Sequence, residues 1–314
     1  MKFARLVSKK IHSPINRGIF LLFFTITIFR INSKAQELEP RALTNVPIGM
    51  NFVLLGYSYA QGNILLDPAI PIEDLNAKLH TVVGAYLRSI KIFGLAGKVD
   101  VIVPWASGDW DGYYNGIDTS RSVSGMGDLR IRLSVNFLGA PPLIMGKFRD
   151  YKPSKISGVS LQIIAPTGQY DPDRLINLGS NRWVFRPQWG FSRYLKNWII
   201  ETYLSAWFFT LNQSFFGGNE VKQNPLGAIK IHAIRSFPRN WWLAFDAGYG
   251  LGGRTYINGG EMNTRISTLR FGLTFAVPMG QHHTIRLTGV TGVRLERGSD
   301  FDAIALTYQY RWIK

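Results

Sequence analysis

Seven charged residues carry most of the chemistry this chain can do. Between Gly125 and Gly139 the sequence reads GMGDLRIRLSVNFLG, so that Asp128, Arg130 and Arg132 alternate with Leu129, Ile131 and Leu133. An alternation of period two puts polar side chains on one face of a strand and apolar ones on the other. The same pattern returns around Asp100, Arg186, Glu201, Asp246 and Arg270. A polar face with more guanidinium than carboxylate has two uses. It can knit neighbouring strands through ion pairs, because a buried charge must be paired, or it can attract anionic solutes, which Arg binds well. The candidates for solute contact are Arg130, Arg132, Arg186 and Arg270, balanced by Asp100, Glu201 and Asp246. Arg88, Lys98, Asp128, Arg182, Lys230, Arg286 and Arg311 are expected on the same face.

Other chemistries find little support. After residue 35 the histidines are His80, His232, His282 and His283. No HExxH, GxSxG, phosphate-binding GK[ST] loop or metal-ligand spacing is present, so neither an enzyme nor a cofactor is expected. A lipid hydrolase built into a barrel wall would need a Ser–His pair on the lipid face near the outer rim. His80 and His232 read as polar-face residues and the adjacent pair as turn residues, so none suits that role. The segment APTGQYDPDRLINLGSNRW sets Tyr170, Asp171, Asp173 and Arg174 among turn formers. It lacks the spaced acids of a calcium loop, and these four residues read as a gating loop that constricts the lumen.

The elements that must hold these residues are strands. Alternating runs of about ten residues recur near 49–60, 78–90, 95–105, 126–138, 157–166, 182–194, 198–209, 226–237, 241–251, 266–277, 283–295 and 302–312. Twelve is an even number, as bacterial membrane barrels require. Ten residues at about 3.3 Å each, tilted by about 40°, span roughly 25 Å, the height of a membrane barrel's apolar band. Strands of soluble sheets are usually nearer 5–6 residues. The fold class is therefore all-β, a transmembrane antiparallel β-barrel of about 12 strands, with Ile131 and Leu133 toward lipid and Arg130 and Arg132 toward the interior. Links alternate between long (61–77, 106–124, 167–181, 210–225, 252–265) and short, as outer loops and periplasmic turns do. One inner link, 140–155, is long and is expected to fold over the periplasmic mouth. Pro187 falls within a strand and predicts a bulge there.

The amino terminus carries Lys2, Arg5, Lys9, Lys10 and Arg17, then an apolar run from Ile19 to Phe29, then Ser33 and Ala35. That run is shorter than the roughly 20 residues of a spanning helix, and the pattern reads as a signal peptide over 1–35. Residues 36–47 would be a short periplasmic segment and 48–314 the barrel, placed in the bacterial outer membrane. Seven of the 36 basic residues lie before Gln36 and none of the 20 acids does, which leaves 29 against 20 in the rest. That charge is spread singly along strands rather than in one run, which argues against nucleic acid. The absence of cysteine suits an oxidising compartment. The expected partners are outer-membrane lipid, a small solute and the barrel-insertion machinery.

RALTNVPIGMNF, PIEDLNAK, APTGQYDPDRLINLGSNRW, FFGG and FDAIALTYQYRW occur in this order. Together they resemble the outer-membrane family named for the meta pathway of phenol degradation, over most of residues 40–312. The resemblance implies a β-barrel and a role in uptake of aromatic or other hydrophobic compounds, distantly like fatty-acid channels. A passive channel for small aromatic or anionic compounds is the first reading. A sealed structural or adhesive barrel and a barrel-embedded hydrolase are the alternatives. Compared with fatty-acid channels the segment before the first strand is short, enough to plug only part of a lumen.

Overall fold

The computed structural model describes residues 38–64, 67–70, 72–294 and 300–313, so the expected signal peptide lies outside the described residues. Among the described residues seventeen strands follow in chain order. They are β1 (Met50–Asn63), β2 (Ile72–Ile92), β3 (Leu95–Tyr114), β4 (Ile117–Met126), β5 (Arg130–Leu138), β6 (Lys155–Ile164), β7 (Val184–Leu195), β8 (Trp198–Phe209), β9 (Asn212–Phe215), β10 (Asn219–Gln223), β11 (Leu226–Ser236), β12 (Trp242–Gly252), β13 (Thr255–Ile257), β14 (Gly260–Glu261), β15 (Ile266–Met279), β16 (His283–Arg294) and β17 (Asp300–Ile313).

The main sheet runs β2–β1–β17–β16–β15–β12–β11–β8–β7–β6–β5–β3, and β3 returns to β2, so the sheet closes on itself. Every pairing is antiparallel. β4 and β5 form one interrupted stave, since β3 pairs β5 through Ala96–Ile102 and β4 through Trp105–Tyr114. Counted that way the barrel has twelve staves. Closure removes the unpaired edges that an open sheet would present to lipid.

The alternation decides which face meets what. Leu55 is 57% exposed and Phe245 55%, whereas Glu201 and His232 on the opposite face are 0% exposed. Apolar residues such as Leu133, Trp189, Phe271 and Leu306 cover the outside. The interior carries Asp100, Arg186, Lys230, Asp246, Arg270 and Thr274.

Three expectations need correction. Strands β2, β3 and β4 are longer than the alternation suggests. The 106–124 segment is a hairpin extension turned at Asn115 (φ 52°) and Gly116 (φ 76°), not a loop. The other two concern side chains and a bulge. On β2 both faces are apolar, and the inward set is Leu79, Thr81, Val83, Ala85 and Leu87. Arg88 and His80 therefore point outward and are exposed, His80 bonding Tyr57 Oη at 2.8 Å. Pro187 causes no bulge. The β7–β8 register is the same at Phe185↔Phe208 and Gln188↔Ser205, and only the two pairings between them are lost. A missing N–H is accommodated by local unpairing because the flanking ladder holds the register on both sides.

The outer links build structure of their own. β9, β10, β13 and β14 form a separate four-stranded sheet. Ile64, Ile70, Leu75, Trp110, Ile176, Phe215 and Val221 pack into one buried apolar cluster drawn from three links and the strand ends. The long inner link contains a single helical turn, Met145–Phe148. It docks beneath the residues that precede β1, with Ile48 N donating to Leu143 O at 2.8 Å and Asn45 Nδ2 to Pro141 O at 3.0 Å.

Candidate functional site

The lumen is divided by two inward intrusions and a layer of charge. From the inner end, residues 38–49 run into the barrel. Their backbone is satisfied by the wall, with Arg41 N donating to Glu201 Oε2 at 2.7 Å and Leu43 N to Tyr203 Oη at 3.4 Å. Asn136 Nδ2 donates to Leu43 O at 3.0 Å, and Lys98 Nζ donates to Ala42 O and, at 3.3 Å, to Thr44 O. A strand-less segment inside a barrel needs these partners, because buried backbone groups left unpaired are costly.

At the tip of this segment Glu39 pairs with Arg132 Nη1, and Arg132 Nε donates to Asp100 Oδ2 at 3.0 Å. Burial by itself would raise the Glu39 carboxyl. The positive charges of Arg132, Arg186 and Lys230 override it and hold Glu39 well below the ordinary carboxylate range. The sign follows: a lowered folded value stabilises docking fully above the ordinary carboxylate range and loses that contribution only as pH falls beneath it. The contact of Glu39 with Arg132 is thus expected to hold at neutral and mildly acidic pH.

Around this pair runs a girdle. Arg186 donates to Gln162 Oε1 at 3.3 Å and Gln188 Oε1 at 3.2 Å, and lies over the Trp207 ring at 4.6 Å. Lys230 Nζ donates to Gln188 Oε1 at 3.1 Å. Glu201 accepts from Ser192 Oγ at 3.0 Å and Tyr203 Oη at 3.1 Å. Asp246 pairs with His232 Nδ1 at 2.6 Å and accepts from Thr274 Oγ1 at 3.0 Å. Arg270 is 4% exposed, lies over Phe301 at 4.7 Å, and has no hydrogen bond at Nε or Nη2 among the described residues.

Of the seven lumen candidates, then, Arg132 and Asp100 meet directly. Asp246 is committed to wall partners, Glu201 to the wall and to Arg41 N of the segment, and Arg130 lines a cavity toward the outer side. Of the loop quartet only Tyr170 lines that cavity, its hydroxyl donating to Ser214 O at 3.0 Å. Asp173 and Arg174 are exposed, and Arg174 sits 3.9 Å from Asp171.

The loop itself is fastened by a residue the alternation only marked as inward. Asp128 Oδ1 accepts from Gly168 N at 2.9 Å, and Oδ2 from Ser180 N at 2.8 Å and Ser180 Oγ at 2.6 Å. Gly168 and Gly179 stack backbone to backbone, since a Cβ on Gly168 would come within 2.8 Å of Gly179 Cα. Glycine is required by that approach.

Two cavities lie among the described residues of the lumen. The inner one, about 1130 Å³, has an apolar wall of Phe52, Leu54, Val83, Ala85 and Leu87 from β1 and β2. Lys98, Arg132, Arg286 and Arg311 make its basic side. The outer one, about 420 Å³, lies under the apolar cluster and is lined by Arg130, Tyr170, Arg182, Trp207 and Thr268 among others. Thr81 lines both. Its inward neighbours in register, Ser58 and Ala106, are also small.

A closed twelve-stave sheet, apolar outside and filled with a charged, partly hollow interior, defines a transmembrane β-barrel of the bacterial outer membrane. The model of the family described as "Putative MetA-pathway of phenol degradation" matches residues 61–308, and the chain belongs to that family. The chain is similar in structure to an outer membrane channel from Pseudomonas putida, with 18% identity and a TM-score of 0.73. The match covers 88% of this chain and 100% of that one. The transport unit of the autotransporter AIDA-I from Escherichia coli is also similar, at 10% identity and a TM-score of 0.50, covering 86% of this chain and 94% of the other. These likenesses show the fold. No curated protein sequence matches the chain.

Proposed function

We propose that this barrel is a passive outer-membrane channel for small hydrophobic solutes, aromatic or anionic, and not an enzyme. The observation that carries the reading is a pair of lumen cavities with Thr81 in both linings, the inner one bounded by an apolar wall and a basic wall. A solute with a hydrophobic body and a polar or charged end finds a complementary surface in that inner cavity. The family and the likeness to an outer membrane channel support it. Against a hydrolase, none of the four described histidines bonds a serine. Their partners are Tyr57, Asp246, Arg311 O and Tyr308.

The apolar cluster across the outer links favours a second reading, a barrel sealed at its outer mouth. Solute entry into liposomes carrying the refolded protein separates the two. Benzoate, phenol, a short fatty acid and a neutral sugar of similar size are compared. Faster entry of the first three supports a channel, and entry no faster than into empty liposomes supports the sealed barrel. Thr81→Trp adds a local check: an indole at the residue that lines both cavities is expected to bring entry down to the empty-liposome level while the barrel still folds. Entry unchanged by that substitution would mean the solute takes another path.

A further inference from the structure

Glu39 occupies its site in an unusual way. Its carboxylate is the one anion that the 38–49 segment delivers to the lumen, and it arrives on Arg132 with Leu38 beside it. Leu38 reaches the barrel wall at Gly272 of β15, where a Cβ would come within 2.8 Å of its Cδ1. The rest of the segment is held by other means, through the backbone contacts of residues 41–44 to Glu201, Tyr203, Lys98 and Asn136. Fastening the plug does not by itself require an acid at position 39. The Glu39 side chain also keeps 30% of its surface, against 16% for Arg132, and both residues line the inner cavity. Across that cavity stand Leu54, Val83 and Leu87. Arg132 keeps a second partner, Asp100 at 3.0 Å, and so remains paired whether or not Glu39 is present.

We infer that the Arg132 corner of the inner cavity is a binding site for a monocarboxylate with a hydrophobic body, and that Glu39 is its tethered competitor. The solute carboxylate replaces the Glu39 carboxylate on Arg132, near Arg186 and Lys230. Its body lies on the β1–β2 wall, and residues 38–40 swing aside while 41–49 stay anchored. A tethered group at a matched distance acts as a competitor at high effective concentration, so the free ligand sees a site that is open only part of the time. No bond is made or broken. This inference rests on the channel reading and names the solute class for it.

The test is binding measured by calorimetry on the full-length refolded protein in detergent, with benzoate, benzamide and acetate as probes. Glu39→Gln removes the competing charge and leaves the Arg132–Asp100 pair. It is expected to tighten benzoate binding by about tenfold, as removal of a competitor that closes the site about nine-tenths of the time requires. Benzamide, which has the ring without the charge, and acetate, which has the charge without the body, are expected to bind more weakly than benzoate to both forms. Adding Arg132→Met to Glu39→Gln is expected to abolish the gain, with the heat-modifiable gel shift of a folded barrel as the control. Equal benzoate affinity in the wild type and Glu39→Gln would overturn the competition. A gain that survives Arg132→Met would overturn the site. Benzoate entry into liposomes with no Glu39 effect leaves the channel reading standing and removes this one. A Glu39 effect on binding without entry does the reverse.

Discussion

Arg132→Glu is expected to eject the tip of the amino-terminal segment and turn the lumen from favouring anions to favouring cations. The substitution sets a third carboxylate between Glu39 and Asp100, where Arg132 now bridges both. Removing one partner of a buried ion pair costs about 3–5 kcal/mol, because the remaining charge is stranded. Like-charge repulsion adds to that, and the soft element is the segment, not the wall. β5 is held to β3 through seven register pairs and to β6 through most of its length, and neither ladder depends on the Arg132 side chain. Reversal potentials in planar bilayers under a salt gradient give the sign of the selectivity, and single-channel conductance gives the ejection. A folded Arg132→Glu barrel with unchanged selectivity would place the ion path away from this girdle. Arg186→Glu, whose neighbours are the amides of Gln162 and Gln188, is expected to shift selectivity the same way with less effect on the segment.

The second large effect belongs to Asp128. Its carboxylate accepts three hydrogen bonds from Gly168 and Ser180, which tie both ends of the infolded outer loop to the stave break between β4 and β5. Hydrogen bonds to a charged group contribute about 1.5–3 kcal/mol each. Asp128→Ala is therefore expected to release the 165–183 loop while the barrel stays closed. Asp128→Asn keeps the shape and an acceptor oxygen and is expected to fall between. Protease added outside liposomes reads this directly, with cleavage within 165–183 appearing in the alanine variant. Conductance is expected to rise with it, since the loop supplies Tyr170, Leu175 and Leu178 to the outer cavity and Ile176 to the apolar cluster. Full protease resistance in Asp128→Ala would shift the anchoring to the backbone bonds from Ala165 N to Leu129 O at 2.9 Å and from Gln169 N to Met126 O at 2.8 Å.

Both predictions bear on how the site is built from two kinds of information. The alternation around Arg130, Arg132, Arg186, Arg270 and Asp246 is a local property. A pleated strand sends successive side chains to opposite faces whatever surrounds it. So the twelve staves, their apolar outer face and the inward direction of these residues are written in the sequence. Where the local signal weakens, the reading weakens with it. β2 is apolar on both faces, so parity alone could not direct Arg88 and His80, and only the pairing with β1 and β3 turned them outward. Glu39 carries no local signal at all. It lies outside every strand, 93 residues from Arg132, and the segment's next anchor is 160 residues away at Glu201. Asp128 looks like any other inward charge until residues about 40 and 52 positions on fold back to it. Thr81 has no chemistry to mark it, and it matters only because closing the sheet left space on both sides of it. The sequence determined the barrel and the charge of its lining, because face and polarity follow from strand periodicity. The tertiary structure alone decided what fills the barrel and where a path remains, because those depend on which distant segments turn inward and which wall they leave uncovered.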